Sequence, residues 1–151
     1  MINQIKNNPY YPNLLVFLQF ALIGLMVLFS NGVLSSAVGM GIFLLGAVLG
    51  LWAISHNQLG NFNIKPVIKD GSKLITTGIY KWVRHPMYSS VMLMMLGVLV
   101  ASLSILELLL FLLLIGVLLL KAKREESLWL SHNEAYTAYK KSSKFFIPFV
   151  L

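Results

Sequence analysis

Ser104-Ile105-Leu106-Glu107-Leu108-Leu109-Leu110-Phe111-Leu112-Leu113-Leu114-Ile115-Gly116-Val117-Leu118-Leu119-Leu120 is the stretch that decides the fold. It carries one charge, Glu107, and approaches the ~20 apolar residues needed to cross a hydrocarbon core. Working outward, three more apolar stretches stand at roughly 13 to 30, 36 to 55 and 87 to 102. Residues 7 to 64 contain no Asp, Glu, Lys or Arg, and residues 85 to 120 contain only Glu107. The whole chain of 151 residues is 58% hydrophobic and 11% charged, against about 45–50% and about 25% in ordinary soluble domains. Backbone polar groups inside lipid must be satisfied within the segment, and Leu-, Met- and Ala-rich runs without strict alternation do this as helices rather than barrel strands. The expected fold is therefore all-α: an integral membrane helical bundle with about four transmembrane helices and a C-terminal amphipathic helix.

Orientation follows from the bases. Of the twelve Lys and Arg, Lys6 precedes the first span, five (Lys65, Lys69, Lys73, Lys81 and Arg84) lie between the second and third, and six follow from Lys121 onward. The short connections around Ser30-Asn31-Gly32 and Ser102-Leu103-Ser104 have none, so the positive-inside rule puts both termini and the central loop in the cytoplasm. The chain reads as one membrane domain: a hairpin over 13–55, a cytoplasmic loop over 56–86, a second hairpin over 87–120, and a cytoplasmic segment with an amphipathic helix over 121–151. A cleaved signal peptide, with Ser35-Ser36-Ala37 as its cleavage site, is the competing reading of the first span, but the apolar run is long for one. Gly46 and Gly50, at GxxxG spacing, are expected to permit close helix packing.

Several function classes drop out. The net charge of +7 flanks apolar spans instead of covering a polar surface, which argues against a nucleic-acid partner. Cysteine is absent, which removes disulfides, thiolate metal sites and cysteine nucleophiles. The spans carry no central ionisable residue for an ion relay, and Glu107 is expected to be solvated at the outer end of the fourth helix.

Reactive side chains must then come from the cytoplasmic face. The loop from about Ser55 to Pro86 is longer than a compact helical connection needs, and it ends in Leu74-Ile75-Thr76-Thr77-Gly78-Ile79-Tyr80-Lys81-Trp82-Val83-Arg84-His85-Pro86-Met87-Tyr88. Pro86 fits the first turn of the third helix. Lys81, Trp82, Arg84 and Tyr88 would each serve singly as interfacial anchors; His85 is the residue least explained by anchoring. His56 and His132 show no metal-ligand spacing with it, so no metal is expected. After the fourth span come Lys121, Arg124, Glu125 and Glu126, then Trp129, His132, Tyr136 and Tyr139 at three- and four-residue steps, which predict one amphipathic helix with an aromatic face. The adjacent acids require a cationic or hydrogen-bond-donating partner, with Arg84, Arg124 or a ligand as candidates.

Gly78-x-Tyr80-x-x-x-Arg84-His85-Pro86-x-Tyr88, followed by Glu125-Glu126, Tyr136-x-x-Tyr139 and Pro148, resembles the isoprenylcysteine carboxyl methyltransferase family and the related phospholipid N-methyltransferases. The likeness runs from about Leu51 to Pro148 and includes Leu59-Gly60. It departs at Ile79, where the family often has Pro, and at Ser89-Ser90, where Gly is usual. The resemblance implies an integral membrane enzyme using S-adenosylmethionine at the cytoplasmic side. Leu74, Ile75, Tyr80, His85, Pro86 and Tyr88 would line the cofactor pocket, and one of Glu125 and Glu126 would bind its polar end. Arg84 and Arg124 are the candidate catalytic residues, with Arg124 or Lys121 facing a lipophilic acceptor that enters from the bilayer. The acceptor, a prenylcysteine-like carboxylate or a lipid amine, and the oligomeric state stay open. A membrane NADPH-dependent reductase, from a similar His-Pro-x-Tyr segment, and a non-catalytic lipid-binding scaffold are the alternatives.

Overall fold

The computed structural model describes residues 9–57, 61, 63–68 and 71–146. Lys6, Leu59, Gly60, Lys69 and Pro148, which enter the expectations above, lie outside the described residues. Among the described residues five helices follow one another: α1 Tyr11–Phe29, α2 Ala37–His56, α3 Pro86–Ser102, α4 Ile105–His132 and α5 Ala135–Ser142, with short 3₁₀ turns at Val33–Ser35 and Gly78–Lys81. The described residues contain no β-strand, only one isolated parallel bridge between Val83 and Lys144. The expected all-helical bundle is present. By length and composition α1, α2 and α4 suffice to cross a membrane, whereas α3, at 17 residues, is shorter; at 1.5 Å per residue it covers about 25 Å of a ~30 Å core.

Helices α2, α3 and α4 begin where the sequence signals them. Ser36 caps α2 by accepting from Gly39 N at 3.1 Å, Pro86 opens α3, and Ser104 caps α4 by accepting from Glu107 N at 3.1 Å. The end of α4 departs from expectation. The helix does not stop at Leu120 but continues to His132, because Lys121-Ala122-Lys123-Arg124-Glu125-Glu126 are helix formers with no Gly or Pro to end it. The single amphipathic helix expected over Trp129 to Tyr139 is in fact two pieces. Asn133 is extended (φ −147°, ψ 111°) and its Oδ1 accepts from Ala135 N at 3.0 Å, so a corner separates α4 from α5. The turn folds Tyr136 back onto Trp129, with rings stacked at 6.1 Å, and buries Tyr136 and Tyr139 on one side of α5.

Two helix pairs make the bundle. In the first, α2 and α3 approach backbone to backbone: a Cβ on Gly39 would lie 2.6 Å from Gly97 O, and one on Gly46 would lie 2.7 Å from Met94 N. Ser90 Oγ donates to Gly46 O at 2.7 Å, the sort of interhelical polar contact that small residues allow. Gly46 and Gly50 do serve close packing, as expected; a Cβ on Gly50 would meet Ser90 Oγ at 2.5 Å. In the second pair, α1 and α4 share a core of Leu15, Leu22, Met26, Leu110, Leu114 and Leu118, to which α3 adds Met95 and Val98. The short connections meet at one end, where Asn31 N donates to Ser102 Oγ at 3.1 Å.

Glu107 is a correction. It is fully buried, and neither carboxyl oxygen has a hydrogen-bond partner among the described residues. Its helical register explains this: Glu107, Leu110, Phe111, Leu114 and Leu118 form one stripe at three- and four-residue steps, and that stripe faces the bundle interior.

The α2–α3 contact gives a direct prediction. Gly46→Leu forces a side chain against fixed backbone and should destabilise by about 1–3 kcal/mol or more, read as a lower thermal midpoint in detergent. Gly41→Ala, where a Cβ meets nothing within 4 Å, should leave the midpoint unchanged or slightly higher.

Candidate functional site

The segment before α3 is held in place by backbone geometry first. Gly78 has φ +60°, the left-handed region that L side chains avoid, and the His56 ring occupies the space its Cβ would need. From there the Gly78–Lys81 turn buries Ile79 and Tyr80 against Ala53. Tyr139 Oη donates to Tyr80 O at 2.7 Å, which ties α5 to this turn. The chain beyond α5 returns alongside: Lys144 N donates to Trp82 O at 2.9 Å, Arg84 N to Lys144 O at 2.8 Å, and His85 N to Phe145 O at 3.2 Å. Ser89 Oγ reaches Phe146 O at 2.6 Å. The serine standing where the resembled families carry glycine is thus used to fasten this strap.

At the centre the His85 ring sits between two consecutive carboxylates. Its Nδ1 is 3.6 Å from Glu125 Oε2, and its Nε2 is 3.4 Å from Glu126 Oε1. The second is a charge contact without hydrogen-bond alignment. Burial alone would lower the imidazole pKa, but the facing carboxylates of Glu125 and Glu126 outweigh it and hold the pKa above its ordinary value. The ring also stacks on Tyr88 at 5.7 Å, and Tyr88 Oη donates to Glu125 Oε1.

The two acids have different surroundings. Glu126 accepts from Arg84 Nε at 2.6 Å and from Lys140 Nζ at 2.8 Å. Arg84 Nη1 donates in turn to Lys140 O at 3.1 Å and to Ser143 O. This carboxyl lies beyond the apolar part of α4; burial pushes its pKa up, yet His85, Lys140 and Arg84 outweigh burial and bring it down to about 2. Glu125 instead faces a cavity of about 460 Å³, within the ~300–1,000 Å³ of small-molecule sites. Nearby, burial raises the Tyr80 phenol and, despite a hydrogen bond to Ser143, pushes Tyr139 up to about 12, so both stay neutral donors at physiological pH.

The cavity brings together Leu74, Ile75, Tyr80, Arg84, His85, Pro86, Tyr88 and Glu125. Arg124 and Glu126 are not among its lining residues. Arg124 lies over the Tyr11 ring at 5.5 Å, with Nε donating to Pro66 O at 3.3 Å. Lys121 does line the cavity, and on the unbroken α4 it shares one face with Glu125 and Trp129 at four-residue steps. The cavity lining includes polar side chains, Asn57, Asn61 and Ser72, from the end of α2 and the loop after it, and apolar ones, Phe20 and Ile23 of α1 and Val91 and Met94 of α3. Asn61 holds that loop folded: its side chain donates to Asn57 Oδ1 at 3.0 Å and to Lys73 O at 2.8 Å, and accepts from Lys73 N at 2.8 Å.

Sequence reasoning passed over Gln19 and Asn61 and took Trp129 only for the aromatic face of the C-terminal amphipathic helix. Gln19 had a usable signal, a lone amide in an otherwise apolar run. Asn61 looked like ordinary loop composition.

Comparison with known proteins adds to this geometry. A family model described as phospholipid methyltransferase matches residues 34–137. Among solved structures, the eukaryotic intramembrane Ras methyltransferase, isoprenylcysteine carboxyl methyltransferase, has a similar fold, with a TM-score of 0.62 at 23% identity over 95% of this chain and 54% of that one. The chain therefore spans about half the length of that enzyme. A search of curated proteins gave no match.

Proposed function

Because the chain belongs to the phospholipid methyltransferase family, we propose that it is a membrane-embedded enzyme that moves a methyl group from S-adenosylmethionine to a lipophilic acceptor entering from the bilayer. In this reading α1 to α4 all cross, α3 with the thinnest margin, both termini face the cytoplasm, and the site opens there. The observation that carries it is a single cavity whose lining joins polar and acidic side chains, Asn57, Asn61, Ser72 and Glu125, to apolar ones, Phe20, Ile23, Val91 and Met94, which suits a charged cofactor meeting a greasy acceptor. The residues present fit the cofactor: a carboxylate, Glu125, beside the phenol of Tyr88 is the donor set that holds a cation in a partly desolvated pocket.

The cofactor supplies a methyl group on a sulfonium that leaves as a neutral thioether. The protein's work is alignment and exclusion of water. Leu74, Ile75, Tyr80, His85, Pro86 and Tyr88 wall the cofactor, and Glu125, fixed by Tyr88 and His85, orients its positive end. Arg84, with its partner Glu126, keeps the loop and the chain after α5 closed over it. Arg124 supports the site from outside through Pro66.

Calorimetry on the protein in mild detergent tests this. Saturable binding of S-adenosylmethionine and S-adenosylhomocysteine is the expected result. Binding of NADPH alone would make the chain a reductase relative, and binding of none of the three would leave a lipid-binding scaffold.

A further inference from the structure

Where α4 leaves its apolar run, two buried polar side chains meet. Lys121 of α4 is 1% exposed and Gln19 of α1 is 6% exposed, and Lys121 Nζ donates to Gln19 Oε1. Nζ also lies 5.2 Å from the centre of the Tyr88 ring. An ammonium at this depth is costly unless protein groups replace its water. Here an amide oxygen and an aromatic face do so. An ammonium has three N–H donors, and among the described residues Gln19 takes one. Both side chains line the cavity, so the other donors can serve a ligand.

Their place in the cavity is specific. Lys121 is one helical turn from Glu125, and Gln19 is next to Phe20 and one turn from Ile23, so the pair stands at the junction between Glu125 and apolar residues of the same lining. An amphiphile whose chain packs against Phe20 and Ile23 leaves its head at Lys121. Arg124 is turned to Tyr11 and Pro66, and Arg84 is engaged by Glu126 and two carbonyls. Gln19 belongs to α1, which precedes the matched residues 34–137.

We propose that Lys121 binds an oxyanion on the acceptor, and so selects anionic amphiphiles, and that Gln19 is the positioning residue holding Nζ at that junction. The oxyanion is a carboxylate or a phosphate. The ligand's role as acceptor rests on the methyltransferase reading; the binding preference does not.

The test uses four amphiphiles with one chain: oleate, oleyl phosphate, oleyl alcohol and oleylamine. Each is titrated into the full chain in neutral detergent, with and without S-adenosylhomocysteine. The two anions are expected to bind about tenfold or more tighter than the alcohol, and the amine weakest of all; oleate against oleyl phosphate identifies the oxyanion. Lys121→Met should bring the anion-to-alcohol ratio to about one, and Lys121→Arg should keep much of it. Gln19→Glu, which holds the ammonium but neutralises it, should lower the ratio while S-adenosylhomocysteine affinity stays unchanged, a pattern that mere loosening of the bundle would not give. A wild-type ratio near one, or a ratio that survives Lys121→Met, overturns the proposal. If Lys121→Met does not fold, Gln19→Glu carries the test, and an unchanged ratio there removes Gln19's role. Anion preference without S-adenosylhomocysteine binding would uphold the proposal and overturn the methyltransferase reading instead.

Discussion

Replacing Glu125 by Gln is expected to weaken S-adenosylmethionine by roughly 10- to 100-fold, the equivalent of one charge-assisted contact of about 1.5–3 kcal/mol in a partly desolvated site. The fold should survive, since Tyr88 Oη, which now donates to Glu125, can donate equally to an amide oxygen, and the arginine-centred network lies on the neighbouring acid. Calorimetry with two ligands separates the possible roles. S-adenosylhomocysteine has no sulfonium charge, so if Glu125 faces the sulfonium the variant loses affinity mainly for S-adenosylmethionine. A parallel loss for both places the carboxylate at the amino-acid end of the cofactor. Unchanged affinity for both would remove Glu125 from the site.

The largest effect on stability is expected from Arg84→Ala. Its guanidinium holds the buried Glu126 carboxylate at 2.6 Å and caps the carbonyls of Lys140 and Ser143. Removing one partner from a buried pair costs about 3–5 kcal/mol because the other charge stays buried; His85 and Lys140 still face Glu126, which puts the loss near the lower figure. Thermal unfolding in detergent should show a midpoint well below wild type, and Arg84→Lys should restore only part, since an ammonium lacks the planar fork. The acid limb follows with a definite sign. Glu126 titrates near 2 instead of 4.5, so its contribution is complete above the ordinary carboxyl range and fades as pH falls from there toward 2. An Arg84→Ala midpoint equal to wild type at neutral pH would show that the network does not hold the fold.

Much of this was legible beforehand. The silences in charge located α1, α2, α3 and the start of α4 to within a few residues, and Gly46, Gly50 and Pro86 announced their packing and start roles. The choice between Glu125 and Glu126 was not legible, for a geometric reason. Neighbouring residues on a helix point about 100° apart, so which acid meets the cavity depends on the rotation of α4, and that is set by long-range packing. Ending the fourth helix at Leu120 hid the alignment of Lys121, Glu125 and Trp129. Glu107 misled because its polarity argued for water while its register argued for the interior, and register prevailed.

The strap over residues 143–146, bonded to Trp82, Arg84, His85 and Ser89, implies an order of assembly during synthesis. A nascent chain can pair α2 with α3 once residue 102 has emerged, and α1 can find α4 some thirty residues later. Arg84 and His85 wait longest, because the carbonyls that receive their N–H groups are translated about sixty residues after them. Capacity to bind a ligand should therefore arise as a nearly all-or-none event once residues 143–146 have emerged, and the membrane would hold an inserted but incompetent bundle until then.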